Sequence, residues 1–322
     1  MQIDMTNIFI QLGVLFFIMV LGYFLKYSKR IDGTFDRALS KLLLEATVPS
    51  LILSSVLNAE NIPPAEQVLK LFGLSFAVYA ILIVIGEIAV RVLLLPKGRR
   101  GVYRFATLFG NVGFVGFPII SAIFGQDALI NAAMFNIPFN LLVFTLGPIW
   151  LMSDRTEKVD ELASGAKLRM TPRMFITPCN IACIAVIPLC LLGIHNVPVA
   201  SQLTQTVGAM TTPGALIIVG SNLANMSVKE LLGGPRVWIE SVICLILSPL
   251  AVWGVLHFFV SDPIILGCMV VLAGMPVATN GTLLCFQYGG DMKGMSQNTF
   301  ITTLFSFATT PLLVLFLTMV TG

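Results

Sequence analysis

The feature that most restricts this chain is its succession of apolar stretches, each about as long as a hydrocarbon layer is thick. A helix needs ~20 apolar residues to cross ~30 Å of hydrocarbon. Segments of that kind fall at about 7–25, 37–58, 66–95, 101–125, 128–152, 173–193, 199–225, 235–259, 262–289 and 294–320. Turn-forming residues separate them: Lys29-Arg30-Ile31-Asp32-Gly33, Asn61-Ile62-Pro63-Pro64, Pro96-Lys97-Gly98, Gly125-Gln126-Asp127 and Gly233-Gly234-Pro235. Hydrophobic residues make up 57% of the 322 and charged residues 11%, where a soluble domain carries about 25% charged. The expectation is an all-α membrane protein with ten transmembrane helices.

The basic residues give the segments a direction. Lys26, Lys29, Arg30, Arg37 and Lys41 cluster around the first connection, and Arg91, Lys97, Arg99, Arg100 and Arg104 around the third. Arg155, Lys158, Lys167, Arg169 and Arg173 surround the fifth, Lys229 and Arg236 the seventh, and Lys293 the ninth; Lys70 alone falls on the other side. Lys and Arg concentrate on the cytoplasmic face. The expected arrangement is therefore a multi-pass protein of the cell membrane with both termini outside and the 153–171 connection a cytoplasmic linker. Met1 to Asn7 holds Asp4 and no Lys or Arg, unlike the basic start of a cleaved signal, so the first helix is expected to be retained. The net charge of +3 and the absence of a single basic patch argue against a nucleic-acid partner.

The chain also repeats itself. Pro49 and Pro213, Gly110 and Gly274, Gly125 and Gly289, and Asp127 and Asp291 are each 164 residues apart, and Pro148 and Pro311 are 163 apart. These landmarks divide the chain into residues 1–152 and 172–322, each with five helices. An odd number of crossings inverts the second copy relative to the first, and inverted repeats are common in secondary transporters.

Two segments are built to break. The fourth contains Phe109-Gly110-Asn111-Val112-Gly113-Phe114-Val115-Gly116-Phe117-Pro118, and the ninth contains Gly274-Met275-Pro276-Val277-Ala278-Thr279-Asn280-Gly281-Thr282. Proline removes a backbone donor and glycine leaves helical geometry cheaply. A broken helix in hydrocarbon survives only where protein or a wet cavity satisfies its backbone. Its half-helix N-terminus is electropositive and suits an anion. Asn111 and Asn280 would add amide donors, with Gly113 and Thr279 beside them.

With these features in view, the chain resembles the auxin efflux carrier family, which includes plant PIN-type auxin carriers and bacterial permeases for malate, malonate and related acids. The resemblance covers the whole chain and rests on Leu21-Gly22-Tyr23, on Val48-Pro49, on the Gly-Asn-x-Gly-Phe-x-Gly-x-Pro stretch of Gly110–Pro118, on the proline at 276, and above all on the ten-segment order. It implies a crossover fold similar to bile-acid and sodium/proton carriers. Helices 1, 2, 6 and 7 would form a scaffold, and helices 3–5 and 8–10 a transport domain moving like an elevator. It further implies a homodimer, and crossover residues at Asn111, Pro118 and Pro276. The function expected is carriage of a small organic anion.

Other polar residues have two readings each. Glu45 in the second segment either carries a proton, as intramembrane ionisable groups often do, or pairs with Lys41 one turn earlier. Asn136 and Asn140 in the fifth segment, and Thr302, Thr303 and Ser306 in the tenth, either complete the anion site or bond helix to helix. Thr47, Ser50, Ser54 and Gln11 are candidates for the scaffold side of the path. Glu87 with Arg91, and Arg236 with Glu240, are expected as i,i+4 ion pairs. Cys179 and Cys183, one turn apart, read as small hydrophobes because no His or carboxylate stands at ligand spacing. No metal or other cofactor is expected. There is no nucleotide-binding Walker sequence, and no HExxH, no GxSxG and no cluster around His195 or His257, so an enzyme is not expected. A sodium-coupled symporter of a larger, bile-acid-like anion is the alternative.

Overall fold

The structure, a computed structural model, describes residues 5–59, 62, 64–125, 128–153, 176–225, 227, 230 and 232–321. The expected linker beyond Ser153 and the landmark Asp127 lie outside these residues. Every secondary-structure element among the described residues is a helix, apart from one isolated antiparallel bridge between Gly110 and Val277.

The first two segments are α1 (Met5–Tyr27) and the pair α2 (Gly33–Leu42) and α3 (Val48–Leu57), joined by a π-helical turn at Leu43–Thr47. Asp32 starts α2: its carboxylate accepts from the backbone N–H of Thr34 at 3.0 Å and of Phe35 at 2.9 Å. These bonds, that of Phe35 first, hold its carboxyl below the usual range. There follow α4 (Ala65–Val92), α5 (Arg100–Leu108), α6 (Phe117–Phe124), α7 (Leu129–Val143) and α8 (Leu146–Ser153). The second half contains α9 (Pro178–Leu191), α10 (Pro198–Gly208), α11 (Thr211–Leu223), α12 (Pro235–Val242), α13 (Ser248–Leu256), α14 (Pro263–Ala273), α15 (Asn280–Tyr288) and α16 (Met292–Thr321).

Helix thus occupies every one of the ten apolar segments. Among the described residues, five runs are individually long and apolar enough to cross a membrane: Gly33–Leu57, Ala65–Val92, Leu129–Ser153, Pro235–Leu256 and Met292–Val320. The segments at 101–125, 199–225 and 262–289 are each divided into two shorter helices. The division falls at Gly110, just after Gly208, and at Gly274 and Pro276, where the sequence weakens helical geometry.

Polarity is arranged for hydrocarbon outside. On α4, Leu69, Phe76, Val84, Ile88 and Val92 are exposed, while Asn111, Asn136, Asn140, Thr279, Asn280, Ser296 and Thr299 are buried. A helix that is apolar on its outer face as well as its inner one is at home in a membrane. The fold is that of a multi-pass helical membrane protein.

The helices pack in two groups. In one, α1 lies along α11, and α3 packs on α9 and α10. Here a Cβ on Gly22 would meet Ile217 Cα at 2.7 Å, and one on Gly208 would meet Leu51 Cα at 2.8 Å, so the backbones approach as small residues permit. In the other, α4 packs on α5 and α7, α5 on α8, α12 on α16, α13 on α14, and α15 on α8 and α16. Landmarks recur between the halves at 164 residues. α1 ends at Tyr27 and α9 at Leu191; α4 ends at Val92 and α13 at Leu256. Gly125 ends α6 at φ 86°, ψ 173°, and Gly289 ends α15 at φ 85°, ψ −169°. Thr211 Oγ1 donates to Thr47 Oγ1 at 2.9 Å, and these residues share the same separation.

Candidate functional site

The two broken segments meet each other. α5 stops at Leu108, and the chain runs extended through Phe109 before a π-helical turn at Val112–Gly116 leads into α6. α14 stops at Ala273 and α15 begins at Asn280. Between these ends the backbones pair antiparallel: Asn111 N–H donates to Pro276 O at 2.7 Å, and Ala278 N–H donates to Phe109 O at 2.8 Å. Val277 N–H donates to Thr302 Oγ1 on α16 at 3.0 Å. Each break satisfies the other, as a surround without water requires. At Gly110 the backbones come close: a Cβ there would stand 3.1 Å from Met275 O and 3.2 Å from Met275 Cβ, tighter than ordinary contact.

The expected site residues fall into three groups. Asn111, Pro276, Thr279 and Asn280 are buried at the crossing, with Gly113 partly buried beside them; Pro118 stands in the first turn of α6. Thr279 Oγ1, Asn280 Oδ1 and Thr282 Oγ1 are buried without hydrogen-bond partners. In the second group, polar atoms are spent on their own helices. Asn140 Nδ2 donates to Asn136 O at 2.9 Å on α7, and Thr303 Oγ1 donates to Thr299 O at 2.7 Å on α16. On α16 it is Thr302 that reaches the crossing. In the third, Glu45 lies in the π-helical turn with its side chain 60% exposed, 3.9 Å from Lys41 Nζ. An exposed pair of this kind contributes ~0–1 kcal/mol.

The backbone N–H groups of Asn111, Val112, Val277 and Ala278 are all engaged. The breaks therefore spend these backbone donors among themselves and on Thr302, and each half-helix start adds positive partial charge beside them.

Several charged residues have partners that the sequence did not indicate. The expected pair of Arg236 with Glu240 does not form: Arg236 Nη2 donates to Leu94 O at 3.4 Å, while Glu240 is fully buried and contacts Thr107 Oγ1 at 2.6 Å. The two side chains leave the helix toward different neighbours. Glu87 makes the expected ion pair with Arg91, at 3.7 Å, and is held more closely by Arg104, Nε to Oε1 at 2.6 Å and Nη2 to Oε2 at 3.1 Å. Asp36 is 2% exposed and accepts from Lys26 Nζ at 3.0 Å and Ser221 Oγ at 2.8 Å. Glu230, in the connection before α12, is pulled down to about 2 by Lys293 first and Ser227 second.

A family model described as "Membrane transport protein" matches residues 7–314. A protein of Rhizobium meliloti named "Putative malonate transporter" is 25% identical over 274 residues, covering 84% of this chain and 83% of its own. An "Uncharacterized transporter" of Methanothermobacter thermautotrophicus is 22% identical over 302 residues, covering 92% and 93%. The match over nearly the whole chain, on a helical fold with two crossed breaks, makes this protein a member of the membrane transport protein family, of the auxin efflux carrier type.

Proposed function

We propose that the chain is a secondary transporter of a small organic anion, a dicarboxylate of the malonate type, bound where the two breaks cross. The crossing itself is the observation that carries this reading. Two half-helices start beside one another within a buried region, with Asn111 and Asn280 as amide donors. The name of the Rhizobium meliloti relative supports the choice of malonate. The matching helix ends at a separation of 164 residues support two inverted five-helix repeats, 1–152 and 172–322, in a ten-helix protein. The two packing groups support a scaffold of segments 1, 2, 6 and 7 beside a transport domain of segments 3–5 and 8–10. The alternating basic connections support termini outside the cell membrane, and the family resemblance supports a homodimer.

Counterflow in proteoliposomes tests the reading: unlabelled malonate inside, labelled malonate outside, with malate, oxalate and lactate as competitors. Saturable exchange is expected. A hydrogen bond to a charged group contributes ~1.5–3 kcal/mol, so Asn111→Ala or Asn280→Ala is expected to raise the half-saturating concentration roughly 10–100-fold. Exchange that both variants leave untouched would remove the crossing from the path.

One observation favours a second reading. The partnerless oxygens of Thr279, Asn280 and Thr282 are acceptors and suit a hard cation, as in a sodium-coupled symporter of a larger, bile-acid-like anion. Uptake that requires sodium would select that reading over the first.

A further inference from the structure

We infer that Glu240 is a proton-binding site of the transporter, neutral when proton-loaded, whose proton travels with the anion. This rests on the transport reading above and adds the coupling ion to it. Glu240 is fully buried in α12. Its Oε1 lies 2.6 Å from Thr107 Oγ1 and 3.6 Å from Cys244 Sγ, and its Oε2 is buried without a partner. The elements packed on α12 are α5, the π-helical turn Ile243–Leu247 and α16. Their titratable and charged groups are Arg100, Tyr103 and Arg104 on α5, Cys244 on the turn and Lys293 on α16, with Arg236 on α12 itself. The cations are engaged elsewhere: Arg104 with Glu87, Arg100 with Leu95 O, Arg236 with Leu94 O and Lys293 with Glu230. Among the described residues none forms an ion pair with Glu240.

An uncompensated carboxylate in such a place is costly, by several kcal/mol even after relaxation. The protonated acid avoids that cost. The hydrogen bonding agrees. Thr107 Oγ1 carries one proton and lies 3.0 Å from Tyr103 O as well as 2.6 Å from Glu240 Oε1. With Glu240 ionised, one proton must serve both contacts. With Glu240 neutral, the acid supplies a second proton and both bonds form at once.

The placement ties this proton to the crossing. Thr107 stands two residues before Phe109, whose carbonyl accepts from Ala278 N–H. Cys244 Sγ also approaches Ala106 O, at 3.4 Å. The π-helical turn begins three residues after Glu240, and such turns occur often at functional sites. In the cycle, Glu240 takes a proton from water on one side and returns it to water on the other, while the anion crosses in the same direction. Proton and anion binding are then linked equilibria, and such couplings are typically ~5–150-fold.

Two measurements test the site. Infrared difference spectra of the purified protein between acid and alkaline pH are expected to show a protonated-carboxyl band that shifts in deuterium oxide and is absent from Glu240→Gln. In proteoliposomes, labelled malonate accumulation driven by an imposed pH gradient is expected to fall at least ~5-fold in Glu240→Gln. A folded Gln variant that keeps either the full set of carboxyl bands or wild-type pH-driven accumulation overturns the inference. If that variant does not fold, Thr107→Val is expected to move the band and its titration midpoint, and an unmoved midpoint overturns it equally. Wild-type protein that exchanges no malonate defeats the transport reading alone, because the infrared result still decides whether Glu240 binds a proton.

Discussion

At the scale of single residues, close approach is decided by glycine. A Cβ on Gly220 would collide with the Met19 carbonyl and stand 2.7 Å from Tyr23 N, both on α1. Backbone on both sides cannot yield as a flexible side chain can. Overpacking of this kind costs ~1–3 kcal/mol or more. Gly220→Val is therefore expected to lower the thermal midpoint of the detergent-purified protein clearly. Gly73→Ala, where a Cβ would meet nothing within 4 Å, is expected to leave it level or higher, since Ala is the better helix former. Equal midpoints for the two variants would show that α1 and α11 are not in close contact. The sequence marks such glycines only as members of apolar runs, because the partner that makes one indispensable lies nearly 200 residues away. The same limit hid Asp36 and Glu240. The rule that charges four residues apart pair assigned Glu240 to Arg236. That rule treats a helix surface as solvated, and here the side of α12 that carries Glu240 is sealed by Thr107.

At the scale of elements, the breaks were legible and their mutual pairing was not. Glycine and proline at 110, 116, 118, 274 and 276 forecast where the fourth and ninth segments would lose helical geometry. They carried no sign that Asn111 would bond Pro276 and Ala278 would bond Phe109, because backbone hydrogen bonds leave no side-chain signature. Thr302 and Thr303 were equivalent in sequence. They sit about 100° apart around α16, and only the register of that helix sends Thr302 to Val277 N–H. Thr302→Val keeps the shape and strands that donor, at a cost of ~1–3 kcal/mol. The expected result is a lower thermal midpoint together with slower malonate exchange, with Thr302→Ser close to wild type in both. If Val and Ser behave alike, the hydroxyl does not hold the crossing together.

At the scale of the whole molecule, the two packing groups meet where α9 packs on α7, where α11 packs on α15, and along α16, which touches both α1 and α11. The Phe16 ring of α1 lies 6.5 Å from that of Phe300 and 6.2 Å from that of Phe307, centroid to centroid. These contacts are apolar, and no ion pair among the described residues joins α1 to α16, so sliding there breaks no charged bond. The contact of α11 with α1 differs in kind: backbone meets backbone at Gly22 and Gly220, and a shift would have to separate them. An elevator cycle therefore predicts which links stop transport. All six native cysteines are buried and free; with those replaced, Phe16→Cys with Phe300→Cys spans the two groups. Asn58→Cys with Ser201→Cys, where Asn58 Nδ2 donates to Ser201 O at 3.2 Å, spans two helices within one group. Joining the first pair with a short cleavable thiol reagent is expected to arrest malonate exchange, and cleavage to restore it, while the second pair, joined or not, lets exchange continue. Arrest by both links would mean that the first group must itself deform. Arrest by neither would mean that the anion crosses by local opening at the breaks, with the two groups fixed against one another.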